Sequence, residues 1–471
     1  MTRSFYSAAI TFIGIYVALA LFQSILFLHL GAAIYDVPSV ARWLIFLYVV
    51  GFIWSILMLT YYHAKGYLLA FWTCAASTGT SVIQFYLFYN LLISRQLSPS
   101  YVIATVSLMA TGISYALALI FSQAGRRQWL KIAGVAQLFL GALMLTSFVW
   151  AIASVSARVN GTIVMLEQCI SVIGSLSPLL FVFNFMSERA AATDTGEVHA
   201  GNWEHAVGIA AIFAFAAACY FVPPFAVESL RSPDDPALIG EGLKRVAEPF
   251  EARTFAGSHG KSLPYRLMKP LDYDSTRQYP LVVCLHGSSA VGADNVKQVA
   301  ATLPARLLST AENRKKYPAF LFVPQCPRGF GWGGLPEHPA VDSLVFEAIA
   351  ALEKEFPIDS KRRYVAGYSM GGYGAWHFIA ARPEVFAAAV PMCGGGDPAS
   401  ARNIVGIPVW AFHGAKDMNV PVTETRQIIE ALRQAGGHPR YTEFPDAAHN
   451  IWPEVTQTTE LPEWLFAQKR E

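Results

Sequence analysis

Val365-Ala366-Gly367-Tyr368-Ser369-Met370-Gly371-Gly372-Tyr373-Gly374 decides how the second half of this chain folds. Arg363–Ala366 reads as a short β-strand and the residues after Gly371 read as a helix, so Gly367-x-Ser369-x-Gly371 falls on a strand-to-helix turn. Three fixed residues of common types would occur by chance in about one sequence in six of this length. The setting therefore carries more weight than the pentapeptide. Glycines on both sides of Ser369 let the backbone make the sharp turn that lifts a serine hydroxyl clear of a sheet.

Working outward, short apolar runs rich in β-branched residues alternate with helical stretches, which is the pattern of a mostly parallel central sheet. Candidate strands are Glu251–Phe255, Pro264–Met268, Leu281–Leu285, Phe320–Val323, Arg363–Ala366, Ala387–Val390, Val409–Phe412 and Arg440–Phe444. Between them Asn295–Leu308, Val341–Phe356, Gly372–Ala381 and Thr423–Gln434 read as helices.

A serine hydroxyl is a poor nucleophile until a histidine takes its proton and an acid fixes that histidine's tautomer. In chain order after Ser369, Asp417 and then His449 satisfy the requirement, each in a loop beyond a candidate strand. Asp397 is the rival acid, while Asp446 is too close to His449 in sequence to be the first choice. His286 and His413 each precede a glycine at a strand end and read as bonding backbone; His377 falls on the helix after the turn. Two backbone N–H groups should hold the oxyanion of a tetrahedral intermediate. Met370 supplies one as the residue after Ser369, and Ser288, in the turn after Leu281–Leu285, is the best candidate for the other.

Five motifs in order now resemble a known family: Leu285-His286-Gly287-Ser288, Pro324-Gln325-Cys326-Pro327, the stretch Gly367–Trp376, Cys393-Gly394-Gly395-Gly396-Asp397 and His413-Gly414-Ala415-Lys416-Asp417. They look like the α/β-hydrolase esterases and peptidases related to polyhydroxybutyrate depolymerases and feruloyl esterases, distant relatives of the prolyl oligopeptidase catalytic domain. The resemblance runs from about Phe250 to Phe466. It implies an α/β-hydrolase fold, a triad of Ser369, Asp417 and His449, no metal or organic cofactor, and hydrolysis of carboxylic esters or sometimes amides. Where relatives often carry an acidic–basic pair after the His-Gly, this chain has Ala290-Val291, which bears on substrate contacts. Trp332, in Arg328-Gly329-Phe330-Gly331-Trp332, and Trp452 are candidates for an apolar pocket wall, with core packing as the alternative for both.

The first half faces another solvent. The chain of 471 residues is 54% hydrophobic and 14% charged, well under the roughly 25% charged residues of a soluble domain, and the deficit lies before about Ser187. Seven apolar runs approach the roughly 20 residues needed to cross a bilayer: Ser7–Leu30, Trp43–Tyr62, Tyr67–Ile93, Val102–Phe121, Ile132–Val155, Thr162–Met186 and Ala206–Val227. The first begins almost at Met1 but is longer than the apolar core of a signal peptide and reads as a span. Arg3, Lys65, Arg126, Arg127, Lys131 and Arg189 would share one side, against Arg42, Arg95 and Arg158 on the other, which sets the N-terminus in the cytoplasm. Seven crossings then carry everything after Val227 to the outer face, the periplasm if the cell is a Gram-negative bacterium. Glu167 is an ionisable residue within a run, either functional or reaching headgroups from near the Asn160–Gly161 loop. Pro223-Pro224 should disrupt the end of the last run. The expected organisation is a transmembrane helical domain over 1–227, a linker over 228–249 and an α/β-hydrolase domain over 250–471.

A net charge of +2 without a long basic run excludes a nucleic-acid footprint. The reading is thus a membrane-anchored serine esterase acting on a small ester, with the lipid bilayer as its other partner. Two alternatives stand: a serine peptidase acting on short peptides, and a membrane receptor or transporter whose hydrolase-like domain only binds. An outside location would also allow Cys326 and Cys393 to be bridged, with Cys284 buried in its strand.

Overall fold

The computed structural model describes residues 1–94, 97–153, 161–192, 202–231, 234–235, 238–336 and 338–471. Arg95, Arg158 and Asn160 lie outside them. The chain forms two compact units, Met1–Pro233 and Asp234–Glu471.

In the first unit each of the seven apolar runs is mostly helical where described, but six helical stretches are both long and apolar enough to cross a membrane: Arg3–Leu30, Val40–Lys65, Pro99–Phe121, Gln128–Trp150, Met165–Ala191 and Ala206–Leu230. The third expected span is a helix, Leu68–Ser94, that is not among the six. Thr73, Ser77, Thr78, Thr80 and Ser81 dilute its hydropathy. Most of these hydroxyls are satisfied nonetheless: Thr73 donates to the Leu69 carbonyl at 2.7 Å, Thr78 to that of Cys74 at 2.8 Å and Ser81 to that of Thr78 at 2.7 Å. Thr80 meets Thr111 of the next helix at 2.8 Å. The sixth run is broken into Gly161–Leu176 and Leu179–Ala191. Pro178 cannot donate to the Gly174 carbonyl one turn back, and the Ser177 hydroxyl takes that carbonyl instead, at 2.9 Å.

The last helix corrects another expectation, because Asn202–Leu230 continues through Pro223 and Pro224. Each proline forfeits one backbone hydrogen bond, but packing just beyond them holds the turn: Phe225 is fully buried and stacks on Trp43 with ring centroids 4.9 Å apart. Further on, Glu228 accepts from the Ser39 backbone N–H at 2.9 Å. The buried ionisable centre of this unit is Glu188, not Glu167. Lys65 Nζ lies 2.5 Å and Arg127 3.0 Å from its carboxylate, and Tyr6 and Tyr61 donate at 3.2 and 3.4 Å. Glu167 is exposed and meets only the Ser147 hydroxyl, at 3.3 Å, among the described hydrogen bonds.

The second unit is built on eight strands: β1 Glu251–Ala256, β2 Ser262–Met268, β3 Tyr279–Leu285, β4 Phe320–Pro324, β5 Ile358–Tyr368, β6 Ala388–Met392, β7 Trp410–Gly414 and β8 Arg440–Phe444. Their order is β1-β2-β4-β3-β5-β6-β7-β8. β1, β2 and β4 pair antiparallel; every other pairing is parallel. β3, β4 and β6 are buried along their whole length, as strands covered on both faces must be. The C-terminal ends of the parallel strands therefore open onto one rim, and the loops after β3, β5, β6, β7 and β8 gather there.

Candidate active site

Ser369 joins β5 to the helix Met370–Ala381 with φ 57° and ψ −119°, a strained conformation for a residue with a side chain. Its N–H is held by the Met392 carbonyl at 2.9 Å and its own carbonyl receives Gly372 N at 2.7 Å. The flanking glycines answer to close approach. A Cβ on Gly367 would stand 2.0 Å from the Gly371 carbonyl oxygen, and one on Gly371 2.2 Å from that of Leu285.

The structure brings Ser369, His449 and Asp417 together. Ser369 Oγ is 2.9 Å from His449 Nε2, and His449 Nδ1 is 2.7 Å from Asp417 Oδ2. The other carboxylate oxygen of Asp417 accepts from Asn419 N at 2.8 Å and Val420 N at 2.9 Å. Burial pushes the Asp417 carboxyl up, but hydrogen bonds from His413 and His449 outweigh it and hold the group well below the usual carboxylate range. The rival acids are engaged elsewhere. Asp397 is exposed and accepts from Ala399 N, two residues on, at 2.9 Å, and Asp446 pairs with Lys416 at 2.8 Å.

Met370 opens its helix, where first-turn N–H groups have no carbonyl one turn back to bond. Opposite it stands the turn after β3. A Cβ on Gly287 would lie 3.4 Å from Ser369 Cβ, so Gly287 backs directly onto the serine, with Ser288 next in the turn. Three residues set this turn, and the first, His286, bonds backbone at both ring nitrogens as its place at a strand end predicts. His286 is fully buried, accepts from Cys326 N at its Nε2 (3.0 Å) and donates from Nδ1 to the Gly287 carbonyl (2.7 Å). Burial lowers its pKa to about 4, in keeping with a neutral ring. Gln325 donates to the Ala290 carbonyl and to Asp294 Oδ2, both at 3.1 Å, bracing the same loop.

Trp332 is the third, and it corrects an expectation. It is fully buried, donates from Nε1 to the His286 carbonyl at 2.9 Å and meets the His286 ring edge-to-face. It is scaffold for the turn and offers no open pocket wall. Trp452 is partly exposed, lies edge-to-face with Tyr368 at 6.4 Å and carries the Arg306 guanidinium 4.6 Å above its ring. His377 bonds Asp342 at 2.8 Å.

The thiols also depart from expectation, since Cys284, Cys326 and Cys393 are all free and buried. Cys326 follows β4 and Cys393 follows β6, with β3 and β5 between them. At about 4.8 Å per strand step the gap is roughly 14 Å, twice what a disulfide spans. Cys393 instead lies beneath the site, its thiol donating to the His449 carbonyl at 3.4 Å. Cys393, Asp417 and His449 are the one trio of possible metal donors among the described residues. Burial raises the Cys393 thiol well above its ordinary value, and both His449 nitrogens already have partners, so the donor set suits hydrogen bonding better than a metal ion.

Residues 335–456, which include Ser369, Asp417 and His449, match the model of the dienelactone hydrolase family. The C-terminal half thus carries a dienelactone hydrolase domain of the α/β-hydrolase kind. An uncharacterized secreted protein of Arthroderma benhamiae is 30% identical over 115 residues, covering 18% of this chain and 12% of its own length. Among solved structures, a thermostable esterase is 39% identical over 48% of this chain and 64% of its own, with a TM-score of 0.46. A ferulic acid esterase is 16% identical over 46% of this chain and 97% of its own (TM-score 0.38), and the acylaminoacyl peptidase of Pyrococcus horikoshii 15% identical over 50% and 44% (TM-score 0.37). This chain therefore spans a small part of the curated relative and less than two thirds of the thermostable esterase.

Proposed function

We propose that this chain is a membrane-anchored serine hydrolase that cleaves carboxylic esters through an acyl-enzyme. Ser369 Oγ attacks the ester carbonyl while His449 Nε2 takes its proton, and Asp417 stabilises the imidazolium that forms. The backbone N–H groups of Met370 and Ser288 receive the oxyanion. His449 then returns the proton to the leaving alcohol, and water, activated by the same ring, releases the acid. The observation that carries this reading is the continuous line from Ser369 Oγ through His449 to Asp417, with distances of 2.9 and 2.7 Å. The Tyr368 ring, 5.0 Å from that of His449, with the partly exposed Trp452 edge-to-face beyond it, supports an apolar or aromatic substrate.

Six apolar helices support anchoring, and on this reading Leu68–Ser94 crosses with them as a seventh. Sidedness is supported by where helix ends meet. Glu188 joins Tyr6, near the start of the first helix, to Lys65 at the end of the second and Arg127 at the head of the fifth. Glu228, near the end of the last helix, meets Ser39 at the opposite end of the helix that carries Lys65. Clustered Lys and Arg favour the cytoplasm, so the chain leaves its last helix on the extracytoplasmic side.

The full chain in detergent, assayed on p-nitrophenyl esters and aminoacyl anilides beside Ser369→Ala, tests the chemistry. Ester turnover lost in the variant supports it, turnover that survives rejects it, and a preference for anilides would make the protein a peptidase. A reporter enzyme fused after Glu471 that is active only outside the cytoplasm tests the side.

A further inference from the structure

We infer that His413 is a positioning residue for the catalytic acid, through a second imidazole N–H donated to the same oxygen of Asp417 that His449 uses. The inference rests on the triad proposed above. His413 is fully buried at the end of β7, four residues before Asp417. Its Nε2 lies 3.1 Å from the Val420 carbonyl oxygen and 3.2 Å from Asp417 Oδ2. Both neighbours are acceptors only, so Nε2 carries a hydrogen, with the Val420 carbonyl as its better aligned acceptor and the Asp417 oxygen as the second. Nδ1 meets the Thr425 hydroxyl at 2.7 Å, and that hydroxyl reaches the Gly394 carbonyl at 2.9 Å. The ring is thus fixed at both nitrogens by the helix Val422–Gln434 and by the loop after β6.

Asp417 then has a donor for each of the roughly four lone-pair sites of a carboxylate: Asn419 N and Val420 N on one oxygen, His449 Nδ1 and His413 Nε2 on the other. Two consequences follow. The carboxylate cannot rotate away from His449 without abandoning a buried donor. A carboxylate that already accepts from His413 is also a weaker base, so it stabilises the His449 imidazolium less than a carboxylate with one imidazole partner would. His413 would therefore set both the aim of the acid and the pH at which the base becomes active. Cys393 and Tyr368 face Asp417 and Glu443 faces His413; they are unchanged by substitution at His413.

The side chains that test this differ in reach. In His413→Gln the amide nitrogen extends to the position of Nε2 and keeps the donor to Asp417; in His413→Asn it extends only to the position of Nδ1 and keeps the bond to Thr425. Each is made in the full chain, checked for folding by thermal unfolding, and assayed across pH on one p-nitrophenyl ester. His413→Asn should lower kcat roughly 10- to 100-fold, the size of a lost hydrogen bond to a charged group, with KM little changed and the acid limb of kcat/KM moved up by roughly 0.5–1 pH unit. His413→Gln should restore both. If the two variants lose kcat alike and neither moves the acid limb, His413 is packing only and the inference is overturned. Ser369→Ala measured alongside separates the failures: an active Ser369→Ala overturns the triad itself, whereas an inactive one with indistinguishable His413 variants removes only the role given to His413.

Discussion

His286 Nδ1 donates to the carbonyl of the very next residue, Gly287, at 2.7 Å, and that carbonyl also accepts from Ala290 N at 3.2 Å. A trans peptide directs its N–H opposite to its C=O. Fixing the Gly287 carbonyl toward the buried ring therefore turns the Ser288 N–H the other way, and the turn stands against Ser369. On the proposed mechanism this would set the oxyanion donor before substrate arrives. His286→Phe keeps a ring in the cavity but removes the donor, so the peptide is free to flip. The expected outcome is a fall in kcat of roughly 100-fold, near the lower end for loss of one oxyanion donor, with KM for a p-nitrophenyl ester nearly unchanged. A variant with kcat close to the parent would show that the turn holds itself.

The same histidine makes stability depend on pH. Its folded pKa is about 4 against 6.5 for a free ring, so between those values the unfolded chain binds a proton that the folded chain refuses. Stability from this group is complete above about pH 6.5 and is lost as pH falls toward 4, by up to about 3 kcal/mol. Residual esterase activity after a fixed heat step, measured from pH 7 to pH 4, should drop across that window. His286→Gln, which has no ring to titrate, should flatten the drop relative to its own value at pH 7.

The order Ser369, Asp417, His449 was legible in the sequence because each lies just past a strand whose apolar run marks it, and parallel strands bring such ends to one rim. All eight strands were legible for the same reason. What the sequence could not give was the orientation of side chains within the rim. Trp332 lies in a glycine-rich loop that looks like a pocket edge, yet its indole is spent on the His286 carbonyl, a partner 46 residues away. Glu188 escaped notice because it sits at the end of an apolar run, where an acid is unremarkable until Lys65 and Arg127 converge on it. Pro223 and Pro224 misled in the other direction, since local backbone cost was outweighed by Phe225 stacking on Trp43.

The thiols give a third test. Cys326 and Cys393 are buried with two strands between them, so neither should react with a maleimide in the native protein. Unfolded in denaturant without any reductant, the chain should take up label at all six cysteines. An intact mass short by two labels under those conditions, restored by reductant, would show a bridge and contradict the strand order.

Glu188 is the keystone of the first unit, and its neutralisation should be felt there. With a side chain only 5% exposed, it faces Lys65 and Arg127, which are 26% and 45% exposed. Glu188→Gln leaves the two cations facing each other across a neutral amide and weakens the acceptor for Tyr6 and Tyr61. Loss of one partner from a fully buried pair costs about 3–5 kcal/mol; the partial exposure of both cations lowers the expectation here to roughly 1–3 kcal/mol. Thermal unfolding of the full chain in detergent, followed by tryptophan fluorescence, should show a lowered transition for Glu188→Gln. Glu167→Gln should leave it within error, because Glu167 is exposed and its described hydrogen bond is a single one to Ser147. Equal effects from the two would mean that the convergence of Lys65 and Arg127 on Glu188 contributes nothing to holding the helices together.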